Sequence, residues 1–442
     1  MADSTVLLLD GVDLAKDATF TGGSWSTTHP LANIKTRYLS DAARTADTAS
    51  TSTRFLIDNV TTKTFGGVSL GWTNLSQFAK ARIRYGSVTA LRTALTPDST
   101  RTLTNATATT GTANTSVDED PDGTPADEVA NDSDAQATMQ IGFTDTGTAL
   151  RNGTDYQIVR VRAEAPSSVT TACTIDKVEL YENAALLEDI TPVEGTDVPT
   201  GYLTVAAGTA RIFEITYKAN GLGTDDDQEI KIYWSGGNGS GDFAITSVRI
   251  EALLADAGAT DKDWIPLLPS GILGSTLGDS HMAGFLKRRT WAWANATAGV
   301  YSDVTASRYI LVEILDPSNA AGYVEIGRAM ACPLIAGGAL EWPQGPATTV
   351  AHGMARSGNE NRRTMNIPFS LLERAAAAQI IAFGAATYED AQMCVIPLPE
   401  VTASNFGWQE LMPMHGEYKI PVAFSRHSLA ALMVGAFQLR GF

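Results

Sequence analysis

Apolar and polar residues alternate with a period of two in segment after segment of this 442-residue chain. That pattern leaves few folds open. Residues 81–85, 156–162, 212–217 and 229–234 alternate cleanly, and 309–314 does so less cleanly. Alternation sends one set of side chains to a core and the other to water, as in antiparallel sandwiches. Thr, which favours half-buried strands, supplies thirty of the first 150 residues and only five of residues 301–400. The first two thirds of the chain therefore read as β, broken by turn-forming stretches such as Ser-Gly-Gly-Asn-Gly-Ser-Gly at 235–241.

Hydrophobic residues make up 44% of the chain, enough to bury real cores. The length predicts two to four domains at about 100–200 residues each. Net charge is −17, opposite to the field that nucleic acid or an anionic membrane attracts. No window approaches the run of about 18 apolar residues that spans a bilayer. The first residues carry an acid and no base before Lys16, so no secretory signal is expected. Cys173, Cys332 and Cys394 form no close pair, and are expected to be reduced and buried.

Chemical machinery is sparse in this pattern. The five histidines (His29, His281, His352, His415, His427) have no metal-protease spacing. There is no GxSxG elbow and no Walker loop, so an enzyme is not expected. The acidic run 118–123 matches the first half of a Ca²⁺ loop through Asp118, Asp120, Asp122 and Gly123. The bidentate acid should fall at Val129; Glu128 is one place off and Pro121 disturbs the loop. A solvated acidic loop is thus the first expectation and Ca²⁺ the second. No other cofactor is expected. Trp234, beside the Gly-rich turn, and Tyr181, at a strand end, are the candidates for stacking on a sugar ring. Trp72, Trp291 and Trp293 could do the same, with burial in a core as the competing expectation.

Residues 174–181 and 244–251 echo one another after similar strand pairs, a look shared with the closing strand of carbohydrate-binding-module-like sandwiches. The C-terminal part changes character. Ser370, with Glu373 three residues on and an Ala-rich run following, predicts a capped helix over 370–381, and 428–434 is a second, shorter helix candidate.

Two segments carry a family resemblance. Residues 72–84 (Trp-Thr-Asn-Leu-Ser-Gln-Phe-Ala-Lys-Ala-Arg-Ile-Arg) and 308–328 (beginning Arg-Tyr-Ile-Leu-Val-Glu-Ile-Leu-Asp-Pro-Ser-Asn and ending Gly-Tyr-Val-Glu-Ile-Gly-Arg) resemble segments of tail-tip structural proteins, of the distal tail or baseplate-type minor tail kind, from long non-contractile-tailed bacteriophages. Ala320 and Ala321 depart from that pattern, where the family tends to have Pro and an acid. The resemblance implies a galactose-binding-like β-sandwich that holds both segments, here separated by an insertion. The implied fold is mostly β: multi-domain β-sandwiches with a small α+β C-terminal domain. Its implied parts are an outer sandwich of 1–92 plus 285–345, one or two inserted modules over 93–284 (about 93–185 and 186–284), and an assembly domain over 346–442.

The function so implied is structural. Copies would form a trimeric or hexameric ring at the virion tail tip, assembled in the bacterial cytoplasm, and would meet tail tube and hub proteins. The inserted modules would face side fibres or a bacterial surface glycan. Arg328, Arg362, Arg363 and Phe442 are the candidate interface residues. The alternative is a receptor- or glycan-binding protein on the virion surface.

Overall fold

The computed structural model describes residues 6–9, 13–36, 41–76, 78–86, 92–133, 135–143, 156–218, 228–238, 242–253, 260–261, 265–266, 289–297, 300–301, 303–336, 348–351, 362–373, 378, 392–396, 414–418, 423–426 and 432–441. The chain divides into two compact units. Met1–Ser87 and Trp264–Phe442 make one, and Val88–Asp263, lying between them in sequence, makes the other.

The split unit contains a sandwich. One sheet places Lys80–Gly86, Val304–Leu315, Arg54–Phe65 and Thr19–Thr21 side by side, with Ile265–Pro266 on the first of these. The facing sheet runs Arg289–Ala294, Gly67–Thr73, Glu325–Cys332 and Ala43–Arg44. All these pairings are antiparallel. Alternate residues of both sheets fill one core: Phe55, Ile57, Ile83, Ile310 and Val312 from one, Val68, Leu70, Trp291, Trp293 and Ile326 from the other. Burying each such side chain contributes about 1.5–3 kcal/mol.

The two resembling segments meet in this sandwich. Asp316 is fully buried at the turn after Val304–Leu315. Its carboxylate accepts from the Ser76 amide at 2.8 Å, from the Ser76 hydroxyl, and from Asn319 Nδ2 at 2.9 Å. Asn74 Nδ2 donates to the Tyr323 carbonyl at 2.9 Å, and Asn74 Oδ1 accepts from the Glu325 amide at 2.7 Å. Arg82 pairs with Glu313 at 2.8 Å with both side chains buried. Gly322 takes φ +72°, the left-handed turn that its sequence position requires. Gly327 has no room for a side chain, since a Cβ there would stand 2.8 Å from Cβ of Trp72.

A second sheet in the same unit takes up most of the described residues of the expected C-terminal domain. Its order is Ile335–Ala336, Val6–Leu9, Gln392–Ile396, Met414–Tyr418, Leu432–Gly441, Arg362–Glu373 and Thr348–Ala351, with Ala423–Arg426 also on Leu432–Gly441. The N-terminal strand thus belongs to the C-terminal sheet. Ser370–Glu373, read from sequence as a helix cap, end a strand that pairs with Leu432–Gly441 across a register shift. Ala378 is helical, and the other residues of the Ala-rich run lie outside the described residues. Residues 432–434, read as helix, are strand as well. Twelve-residue strand pairing here overrides local helix propensity.

The inserted unit is one sandwich, not two modules in series. One sheet runs Thr209–Lys218, Tyr156–Ala165, Ala244–Leu253, Val129–Asn131 and Ala106–Ala108, with Arg92–Leu95 on Ala244–Leu253. The other runs Ala185–Asp189, Cys173–Glu182, Gln228–Ser235, Ala137–Phe143 and Ser99–Thr104, with Thr204–Val205 on Cys173–Glu182. Strands from before and after residue 185 alternate within each sheet and share one core, which includes Val161, Phe213, Ile232, Trp234 and Val248. The two echoing segments lie on opposite sheets of this sandwich.

Arg328 is not an interface residue. It is fully buried in the split sandwich, 2.8 Å from an equally buried Asp13, and also donates to the Lys35 and Thr36 carbonyls. Asp13 in turn caps the short helix Leu14–Lys16 through Ala15 N and accepts from Ala331 N. Asp13→Ala strands a buried guanidinium and two amides. It should destabilise the split unit by about 3–5 kcal/mol in urea unfolding, a far larger loss than that from Asp58→Ala, whose partner Arg308 is half exposed.

Candidate functional site

The inserted sandwich carries its polar chemistry on its two outer faces. On one, alternation turns Arg160, Arg162 and Arg249 away from the core, and residues 117–127 cross over them as a strap. Val248 N donates to the Val117 carbonyl at 2.9 Å and Ser247 Oγ to that of Glu119, which pins the strap to the sheet. Asp122 receives Arg160 in a two-pronged pair, at 2.8 and 3.1 Å. Arg160 also donates to Glu214 at 2.9 Å. Burial works against the charge of Arg160, which is 1% exposed; Asp122 and Glu214 outweigh it and raise its pKa. Arg162 Nη1 donates to the carbonyls of Pro121 and Gly123. Asp120 stands 3.7 Å from Arg249, whose Nη2 donates to the Asp118 carbonyl.

Asp120 and Asp122, offered by the sequence with Asp118 as the second-choice Ca²⁺ loop, thus face arginines of the sheet. The Asp122 and Asp120 carboxylates face Arg160 and Arg249, that of Glu119 accepts from Ala126 N, and Asp118 meets Arg249 through its carbonyl. Among the described residues no cluster of three or more His, Cys, Asp or Glu could hold a metal. The signal was present in sequence: the base-free acidic stretch has its counterpart in Arg160, Arg162 and Arg249, which share outward parity on two neighbouring strands.

On the opposite face the outward residues are Lys177, Glu179 and Tyr181 of one strand and Lys231 and Tyr233 of the next. Tyr181 and Tyr233 donate to Glu179 at 3.0 and 2.8 Å, and Lys177 pairs with it at 2.5 Å. Lys231 lies over both rings. Burial would push the Glu179 carboxyl up, but these three donors together hold it below its usual value. Burial, then the bond to Glu179, pushes Tyr181 up to about 12. Tyr181 is half-buried here, as part of a network. Trp234 is not a sugar platform: it is fully buried in the core. Parity foretells this, because Trp234 alternates in step with Ile230 and Ile232, whereas Tyr233 follows Lys231 outward. Trp291 and Trp293 are core residues of the split sandwich, and Trp72 is half-buried against Gly327. Arg362 and Arg363 begin a strand of the C-terminal sheet; Phe442 lies outside the described residues.

Beside the strap lies a polar cavity of about 540 Å³. Its walls include Glu128, Arg162, Glu164, Ser167 and Thr209, with Ala165, Pro166 and Ala210 between them. Arg162 grips Glu164 through Nε at 3.0 Å and Nη2 at 2.9 Å. Glu128 has no such partner. Desolvation, and then the charge of Glu164, raise its pKa above the ordinary value. Sequence reading met Glu128 only as an acid out of register with a Ca²⁺ loop, and nothing local marked Glu164.

No family model matches this chain, and no curated protein matches it. Among solved structures, it is similar to the C-terminal CBM6 of LamC, a laminarinase from Zobellia galactanivorans, at 12% identity over 36% of this chain and 98% of that one, with TM-score 0.19. A fucolectin from striped bass, Morone saxatilis, matches at 10% identity over 55% of this chain and 99% of that one, TM-score 0.21. A β-porphyranase of glycoside hydrolase family 86 from Bacteroides plebeius matches at 11% identity over 50% of this chain and 36% of that one, TM-score 0.20. Likenesses this slight carry nothing about ligand or chemistry, and the β-sandwich fold rests on the sheets described above.

A carboxyl with a raised folded-state pKa favours folding when protonated and opposes it as pH rises through that value. Glu128→Gln should therefore raise the melting temperature at neutral pH, and the gain should fade as pH falls to about 4. Thermal unfolding across that range reads both.

Proposed function

We propose that this chain is a non-enzymatic structural component of a bacteriophage tail tip, assembled in the bacterial cytoplasm and carried in the virion. The split sandwich and the C-terminal sheet are the assembly body. Copies of it form a closed ring that meets tail tube and hub proteins, so that many modest contacts act together. The inserted sandwich is the recognition module, for side fibres or a bacterial surface glycan. One observation supports this reading above the others. The segments at 72–84 and 308–328, which resemble tail-tip proteins and stand far apart in sequence, are hydrogen-bonded into one buried turn cluster at Asn74, Ser76, Asp316 and Asn319. A resemblance split by an insertion and rejoined in space favours a shared fold over chance.

Arg362 and Arg363 remain the proposed interface residues. Their strand pairs on one side with Thr348–Ala351 and on the other with Leu432–Gly441. The proposed cytoplasmic assembly accords with Cys173, Cys332 and Cys394, which are buried and in no disulfide. The second reading, a virion-surface glycan binder with no assembly role, draws on the cavity beside the strap.

Light scattering on the full chain, with negative-stain images of the same fraction, tests the assignment. The expected result is a discrete threefold or sixfold ring. A monomer that persists up to high micromolar concentration, alone and with purified tail tube and hub proteins, would contradict it.

A further inference from the structure

The cavity beside the strap has features that the assembly role does not use. Glu164 is already engaged, since one of its oxygens takes both the Nε and the Nη2 of Arg162. Glu128 is part-buried on the same wall, and among the described residues none gives its carboxylate a hydrogen bond or ion pair. A desolvated carboxylate next to a like charge is costly unless something supplies a cation or donors. Among the described residues nothing does. The arginines nearest to hand are spent: Arg160 on Asp122 and Glu214, Arg162 on Glu164 and the strap carbonyls.

The lining sets the rest of the ligand's chemistry. A bare metal ion would be ill matched to a space of about 540 Å³ with two carboxylates, one of them held by arginine. That volume lies in the range of small-molecule sites, about 300–1,000 Å³. Ser167 provides a hydroxyl, Thr209 provides a hydroxyl oxygen whose proton goes to the Ala206 carbonyl, and Ala165, Pro166, Ala210 and Ala244 provide small apolar patches. Hydroxyls interleaved with C–H surface complement a sugar ring, and a lone carboxylate complements an ammonium group.

We infer that this cavity binds a protonated amino sugar, a hexosamine unit with a free amine, with Glu128 receiving the ammonium group and the Ser167–Thr209 wall receiving the ring. The inference deepens the recognition role proposed for the inserted sandwich and rests on that role, not on ring formation.

Calorimetry on the full chain at physiological salt tests it, with a fully deacetylated glucosamine tetramer as probe. The N-acetylated tetramer, a glucose tetramer and Nα-acetyl-lysine amide serve as comparisons. The amine-bearing tetramer should bind at least tenfold tighter than each of the three. Glu128→Gln should weaken it about tenfold, whereas Glu188→Gln, on an exposed edge strand, should leave it unchanged. Melting curves show that the variants remain folded. Equal binding of the N-acetylated tetramer or of the lysine amide would overturn the inference. So would indifference to Glu128→Gln, or no binding by any probe. Ring mass, read by light scattering on the same samples, is untouched by these substitutions, so failure here and failure of the tail-tip assignment are separable.

Discussion

Asp316 is sealed from solvent with three donors aimed at its carboxylate, and the split sandwich closes around it. A buried charge left without partners is strongly destabilising, while hydrogen bonds to a charged group contribute about 1.5–3 kcal/mol each. The carboxylate can therefore be buried only where Ser76 and Asn319 stand. Ser76 leads into Lys80–Gly86, and Asp316 closes Val304–Leu315, which pairs with it. One polar cluster thus fixes the turn and reinforces the register of two central strands. Asn74 extends the cluster to the opposite sheet, through Glu325 at the start of Glu325–Cys332.

The same cluster explains how the chain tolerates an insertion. The strand Lys80–Gly86 leads out of the split unit, and on its return Ile265–Pro266 pairs with Ala81 and Lys80 of that very strand. Departure and return share one sheet edge. The entropic cost of a longer loop grows slowly, by about 0.6 kcal/mol per doubling of length. The inserted unit also supplies its own core, centred on residues such as Trp234, Phe213 and Val161. It needs nothing from the strands that flank it to bury its apolar faces. The module is free to carry the strap and the cavity.

Strand positions were legible in the sequence because burial imposes a period of two. Residues 81–85, 156–162, 212–217, 229–234 and 309–314 all fall in strands. The fate of the outward set was harder to read. Alternation assigns Arg82 and Arg160 to water, yet both are buried, because Glu313 and the strap's Asp122 arrive from distant parts of the chain. Arg328 was misplaced for the same reason: its partner, Asp13, lies over 300 residues away. Ser370–Glu373 are strand where a helix start was expected, because capping residues act locally while the pairing with Leu432–Gly441 is long-range. Tyr181, singled out for its place at a strand end, lies on the opposite face from the cavity, in the network around Glu179. The unpaired state of Glu128 was not legible, since it depends on which arginines the strap has already taken.

The two units fold on separate cores, and the Asp316 cluster belongs to only one of them. Differential scanning calorimetry of the full chain and of its Asp316→Ala variant tests this directly. Two transitions are expected, of which one moves to lower temperature in Asp316→Ala while the other stays in place. A single transition that shifts as a whole, or an equal displacement of both, would contradict it.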